Sequence, residues 1–205
     1  MRGVGGGLFL LLSAAWAVPN AAPPPLSAQE THVLIVSGLG GTEEYRQRFT
    51  DWAARLHSSL IGRYHLPADR VAVLSERPDM APGVARARST RENVLASLEE
   101  MAGSAAESDR VLLILIGHGT AQGDEGRFNL PGPDLSAEDL SGALGAFHTQ
   151  TVAMVHTGSA SGGFVAPLSG PNRIIVAATR TARERNATEF PRFFVDAVSG
   201  DGSDL

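Results

Sequence analysis

Two short glycine-rich segments carry the side chains best suited to catalysis. In residues 117–119 the imidazole of His118 stands between two glycines, where neighbours crowd it little and it can act as a general base. Residues 157–164 present the hydroxyls of Ser159 and Ser161, and the surrounding glycines can bring backbone N–H groups close to an oxyanion. Together, a base in one segment and a hydroxyl in the next suggest nucleophilic catalysis, whereas His118 alone is equally compatible with an ordinary turn.

Both segments follow predicted strands. Residues 111–116 are rich in Leu, Ile and Val without alternation, as in a central strand covered on both faces. A second apolar run covers 151–155. The other predicted elements, in chain order, are a strand at 32–36, a helix at 42–61, a strand at 70–74, a helix at about 90–105, a short helix from 136, a strand at 173–178 and a helix at 190–198. We expect loops over 75–88 and 121–134.

Two of the helix starts carry capping boxes. Ser89 is followed three residues later by Glu92, and Ser136 is followed three residues later by Asp139. In each pair the two side chains can satisfy backbone N–H groups that have no partner inside the helix.

The alternation of strands and helices predicts an α/β fold, with a mostly parallel sheet, right-handed crossovers and helices on both faces. In such sheets ligands bind beyond the carboxyl ends of the strands. Three glycine-rich segments follow strands in this way, at 37–42, 117–120 and 157–164. We therefore expect them to converge on one site.

Composition limits the classes of function. The 205 residues are 43% hydrophobic, which suits a single domain, predicted over residues 31–198. A formal net charge of -5 offers no clustered positive field, so we expect no nucleic-acid partner. The lack of cysteine excludes disulfides, thiolate metal sites and a thiol nucleophile. The histidines at 57, 65 and 148 lack metal-ligand spacing, and we predict neither a metal nor a cofactor.

The chain begins with the features of an export signal. Arg2 precedes an apolar stretch over 8–17 that ends in small residues suited to cleavage. A membrane anchor is the alternative, but the apolar run is about ten residues and a bilayer span needs roughly 20. We therefore predict a signal peptide at 1–17, a Pro/Ala-rich linker at 18–30, an acidic tail at 199–205 and no stable membrane insertion. The expected location is the periplasm or the extracellular space.

The segments around His118 and Ser159 resemble those of the caspase and legumain clan of cysteine peptidases. In that clan the catalytic histidine follows one strand and the nucleophilic cysteine follows the next, in the pattern Ala-Cys-x-Ser-Gly. Matching Ser161-Gly162 to the Ser-Gly of this pattern places Ser159 at the cysteine and Gly158 at the alanine. The resemblance runs from about residue 31 to 198 and implies a caspase-like three-layer sandwich.

The resemblance also implies roles for individual residues. His118 would be the catalytic base, Ser159 would occupy the nucleophile position, and the backbone N–H groups of Gly119 and Ser159 would form the oxyanion hole. Tyr45-Arg46 resembles the legumain Tyr-Arg-His segment, which makes Arg46 a candidate for lining the substrate pocket. The other candidate substrate-binding residues are Thr157, Gly158 and Ser161.

Departures from the clan pattern change the expected activity. Ser159 replaces a cysteine, and a hydroxyl is a far poorer nucleophile than a thiolate near neutral pH. No acidic residue can be assigned to orient His118, and Thr157 stands where legumains carry an acidic pocket residue. We therefore predict an exported peptidase homologue that binds a peptide or protein and has lost or weakened hydrolysis. The alternative is an active serine hydrolase using Ser159 or Ser161 with His118.

Other interpretations of the motifs fit less well. The loop Gly38-x-Gly40-Gly41 resembles a dinucleotide-binding loop, but Glu43 stands where the third glycine belongs. Ser161 lies in an incomplete G-x-S-x-G, and in α/β-hydrolases the histidine follows the serine, whereas His118 precedes it. A structural or adhesive role predicts no convergent pocket at His118.

Overall fold

The computed structural model describes residues 29–200. The predicted signal peptide, nearly all of the linker 18–30 and most of the tail 199–205 lie outside these residues. The strands are β1 Thr31–Ser37, β2 Val71–Ser75, β3 Ala85–Arg88, β4 Arg110–Ile116, β5 Gly119–Gln122, β6 Glu125–Phe128, β7 Leu135–Ser136, β8 Thr151–His156 and β9 Arg173–Ala177. The helices are α1 Glu43–Gly62, α2 Arg91–Ser104, α3 Ala137–Leu144, α4 Val165–Leu168 and α5 Phe190–Ser199. None of the described helices combines the length and apolar character needed to cross a membrane.

Six strands form one sheet in the order β3-β2-β1-β4-β8-β9, and every neighbouring pair is parallel. Because side chains alternate along a strand, β1 supplies both faces of the sheet. Val33 and Ile35 pack with α1 and with Val195 of α5, whereas Leu34 and Val36 pack with α2 and α3. The α/β class, the parallel sheet and the helices on both faces are therefore confirmed.

Capping follows the prediction at one helix and departs from it at another. At α3 the capping box is present: the hydroxyl of Ser136 accepts the N–H of Asp139, whose carboxylate accepts the N–H of Ser136. At α2 the predicted box is wrong, because the N-cap is Thr90 and its side chain accepts the N–H of Asn93. Ser89 is held instead by its N–H, which donates to the carbonyl of Ser75 at the end of β2.

Two segments predicted as loops contain strands. Residues 75–88 include β3, an Ala-Arg-Ala-Arg sequence at the sheet edge that lacks the apolar pattern of a strand. Residues 121–134 include most of a hairpin of β5 and β6, with Gly123 at φ 65° in its turn. Phe128 at the end of β6 is fully buried, so tertiary packing stabilises a segment with little strand propensity of its own.

Candidate active site

The carboxyl ends of β4 and β8 meet through glycines. A Cβ atom on Gly119 would collide with the carbonyl oxygen of Ser159, and one on Gly158 would collide with that of Gly117. Only glycine allows two backbones to approach this closely. The segments that carry His118 and Ser159 are therefore neighbours, as expected from adjacent parallel strands.

A cavity of about 400 Å³ lies at this edge of the sheet, and both His118 and Ser159 line it. One wall is aromatic and comes from α1. Another part of the lining comes from the segment that leads into α5 and from the first turn of α5. Besides His118 and Ser159, the residues that line the cavity include Tyr45, Arg48, Phe49, Trp52, Thr188 and Arg192.

The imidazole of His118 packs edge to face against two rings of α1. Its centroid lies 4.4 Å from that of Tyr45 and 5.0 Å from that of Phe49. Burial lowers the pKa of His118, while a hydrogen bond with the backbone of Gly40 acts in the opposite direction, as a carbonyl acceptor does. The ring is therefore neutral at pH 7, the state required of a general base. The sequence offered no acidic residue to orient His118, and the hydrogen bond with the backbone of Gly40 serves that purpose instead.

The hydroxyl of Ser159 is bound to one residue in two ways. It donates to the carbonyl of Gly119 at 2.9 Å and accepts the N–H of Gly119 at 3.1 Å. These are its hydrogen bonds within residues 29–200, and Ser159 is 2% exposed. The proton of the Ser159 hydroxyl therefore points to the carbonyl of Gly119. The N–H of Gly119, which was expected to stabilise an oxyanion, already donates to the oxygen of Ser159.

Ser161 and Thr157 are buried beside the cavity and do not line it. The hydroxyl of Ser161 lies 3.2 Å from that of Thr179 and accepts the N–H of Thr179. The hydroxyl of Thr157 donates to the carbonyl of Leu115. Of the two serines predicted as possible nucleophiles, the geometry favours Ser159.

Arg46 has carboxylate partners near the cavity. Its Nε lies 3.1 Å from Glu76, its guanidinium also contacts Glu43, and these carboxylates raise its pKa, Glu76 having the larger effect. The arginines that line the cavity are Arg48 and Arg192. Arg48 lies two residues beyond Arg46 and was not identified from the sequence. The helical spacing of Tyr45, Phe49 and Trp52 around it is the signal that could have identified this face of α1.

The loop after β1 bears on the dinucleotide alternative. The strand order of the main sheet matches the order typical of doubly wound dinucleotide-binding folds. In those folds the free N–H groups at the start of the first helix bind the pyrophosphate. Here the N–H of Gly40 donates to the buried carboxylate of Glu76 at 2.9 Å, and α1 begins with Glu43 and Glu44. An internal carboxylate thus occupies the anion position, which disfavours a phosphate there.

His156, at the end of β8, belongs to the core. Its ring packs edge to face with Phe128 and Phe164, and its Nδ1 accepts the N–H of Gly158. Complete burial lowers the pKa of His156 to about 3, so it is neutral and supports the turn before Ser159.

One group of possible metal ligands lies at the opposite end of the sheet. Side-chain atoms of Glu30, His32 and Asp109 fall within 4.8 Å of one another. Asp109 already accepts two backbone N–H groups and pairs with His32, and Glu30 pairs with Arg70. These contacts give the group a structural role without an ion.

Comparison of this chain with protein-family models and with curated proteins gives no match.

Proposed function

We propose that this chain is an exported caspase-like peptidase homologue that binds a peptide in the cavity beside His118 and hydrolyses it weakly or not at all. The observation that carries the proposal is the double hydrogen bond between the hydroxyl of Ser159 and the backbone of Gly119. The candidate base His118 and the candidate nucleophile Ser159 line one cavity. The hydroxyl of Ser159, however, donates to the carbonyl of Gly119 rather than to an imidazole.

Hydrolysis by a serine requires a transferable hydroxyl proton and a free backbone N–H group for the oxyanion, and in this site both already take part in hydrogen bonds. As its oxygen attacks a carbonyl, the serine must pass its proton to a base, and backbone N–H groups must stabilise the oxyanion that forms. Ser159 directs its proton to the carbonyl of Gly119, and the N–H of Gly119 binds the serine oxygen. A thiol forms weaker hydrogen bonds and ionises more readily, so a cysteine at position 159 would be freed from this arrangement.

The aromatic wall supports peptide binding. Tyr45 and Trp52 offer rigid, partly exposed rings, and Phe49 adds a buried one. Such rings bind side chains at low entropic cost, and Arg48 and Arg192 add charged groups to the lining. Trp52 also provides a signal, because its fluorescence should change when a peptide enters the cavity. Loss of this change in Trp52→Phe would assign the signal to the cavity.

Restoring the cysteine tests the catalytic part of the proposal. We expect little cleavage of fluorogenic peptides carrying Asn, Asp, Arg or Lys before the scissile bond, and measurable cleavage after Ser159→Cys. Adding His118→Ala should abolish the gain. Robust cleavage by the natural chain that survives Ser159→Ala would refute the assignment of this site.

An active serine hydrolase is the second candidate, favoured by the neutral, oriented imidazole of His118 in the same cavity as Ser159. A fluorophosphonate probe distinguishes the two functions, since it labels an activated serine covalently. Labelling that is lost in both Ser159→Ala and His118→Ala, but retained in Ser161→Ala, would establish the hydrolase. Absence of labelling supports the binding function.

A further inference from the structure

The turn that carries Ser159 is held by a segment outside the main sheet. We call residues 179–188 the clamp segment. The hydroxyl of Thr188 donates to the carbonyl of Thr157, and the carbonyl of Glu184 accepts the N–H of Ala160 at 2.8 Å. The clamp segment therefore binds the backbone on both sides of Ser159.

The held turn contains a strained residue. Ala160 adopts φ 55°, in the left-handed region that residues with a Cβ rarely occupy, and it is fully buried. Such a conformation persists only where surrounding contacts enforce it. The hydrogen bond from the N–H of Ala160 to Glu184 is one of those contacts.

Glu184 also folds the clamp segment onto itself. Its carboxylate Oε1 accepts the N–H groups of Arg180 and Thr181, both at 2.9 Å. The side chain of Glu184 therefore closes a loop while its backbone carbonyl binds the turn. Because Thr188 lines the cavity, the same segment connects the cavity wall to position 159.

We propose that Glu184 is a positioning residue, which closes the clamp segment and thereby holds Ser159 at the wall of the cavity. This inference deepens the proposed function and rests on it for the role of Ser159. The placement itself can be measured without any peptide, so the two proposals can fail separately.

The lack of cysteine makes the measurement direct, because Ser159→Cys creates the sole thiol of the chain. Adding His118→Ala to this parent removes the base that would activate the thiol, so the rate of alkylation by iodoacetamide then reports how often position 159 opens to solvent. Adding Glu184→Ala should raise this rate about tenfold, since hydrogen bonds to a charged group are lost from a local segment. Glu184→Gln keeps an acceptor oxygen and should stay within about twofold of the parent.

Glu107→Ala is the matched control, since Glu107 is an exposed glutamate far along the chain from the clamp segment, and it should leave the rate unchanged. If Glu184→Ala unfolds the protein, Thr188→Val removes a single hydroxyl from the same segment and should raise the rate severalfold. Equal alkylation rates in the parent and in folded Glu184→Ala, or in Thr188→Val where Glu184→Ala does not fold, would overturn the inference. Failure of peptide binding with the expected alkylation pattern would overturn the proposed function alone.

Discussion

Each end of the main sheet holds a histidine. His32 lies near the start of β1 and His118 follows the end of β4, and the surroundings of the two side chains differ. At the amino ends, His32 Nε2 lies 3.2 Å from Asp109, whose carboxylate also accepts the N–H groups of Glu30 and Ala106. Both side chains are less than 5% exposed. At the carboxyl ends, His118 is bounded by aromatic rings and borders a cavity.

This difference separates a structural histidine from a candidate functional one. Each oxygen of Asp109 has partners inside the protein, so a ligand could enter only by breaking them. His118 is oriented by backbone and rings, and the cavity leaves room for another molecule. We therefore expect substitutions at the amino ends to act on stability and substitutions at the carboxyl ends to act mainly on binding.

The largest expected effect is that of Asp109→Ala. It removes one partner of a buried pair and leaves His32 and two backbone N–H groups unsatisfied, which should lower the free energy of unfolding by about 3 kcal/mol. Urea denaturation measures this loss. His118→Ala should cost about 1 kcal/mol, since that side chain is already partly exposed to a cavity. Equal losses in the two variants would break the comparison between the two ends.

Acid should destabilise the fold through the buried histidine at the end of β8, His156. The pKa of His156 is about 3 in the folded protein and near 6.5 in the unfolded chain, so between these values the unfolded chain binds the additional proton. Stability is therefore complete above about pH 6.5 and falls as the pH is lowered toward about 3, and the lowered pKa of His118 acts in the same direction. Urea denaturation at pH 7, 6, 5 and 4 should show this slope, and His156→Phe should flatten it.

Asp109, at the amino ends of the strands, should affect the pH dependence of stability in a lower pH range than His156 does. Burial opposes ionisation, but hydrogen bonds from Glu30, Ala106 and His32 outweigh it and lower the pKa of Asp109. Its contribution is present above the unfolded value of 3.8 and is lost as the pH falls through the lower folded value. Asp109→Asn should therefore leave the slope between pH 7 and 5 unchanged.

The smallest effect on stability is expected for Arg48→Ala. Arg48 pairs with Glu44 on an exposed face of α1, and such pairs contribute about 0.5 kcal/mol or less. Because Arg48 lines the cavity, the Kd for a peptide should nevertheless rise severalfold in a Trp52 fluorescence titration. Arg86→Ala is the matched control, as Arg86 pairs with Glu100 away from the cavity. Equal Kd values in the two variants would remove Arg48 from the binding surface.

The sequence predicted those elements whose apolar pattern reflects burial. β1, β4 and β8 end where the glycines begin, within one or two residues of expectation, because runs of Val, Ile and Leu are needed in strands covered on both faces. β3 and the β5–β6 hairpin were not predicted, because their stability comes from pairing and from buried Phe128 rather than from their own pattern.

The candidate site was predictable in part. His118 and Ser159 were identified as post-strand residues, and they line one cavity. The hydrogen bonds of Ser159 to Gly119, the backbone of Gly40 beside His118 and the contacts of Glu184 were not predictable. Backbone groups carry most of these interactions, and every residue has the same backbone, so they leave no signature in residue types.

The sequence by itself determined the α/β class, the parallel sheet and the strand ends at which the glycine-rich turns begin, because residue types set which segments are buried and where glycine allows a tight turn. The tertiary structure alone decided which partners those residues receive. In the folded protein the hydroxyl of Ser159 donates to the carbonyl of Gly119, and the carboxylate of Glu76 accepts the N–H of Gly40, where a dinucleotide-binding fold would bind a phosphate. These outcomes depend on distances of a few ångströms between segments that are far apart in the chain, and only folding fixes such distances.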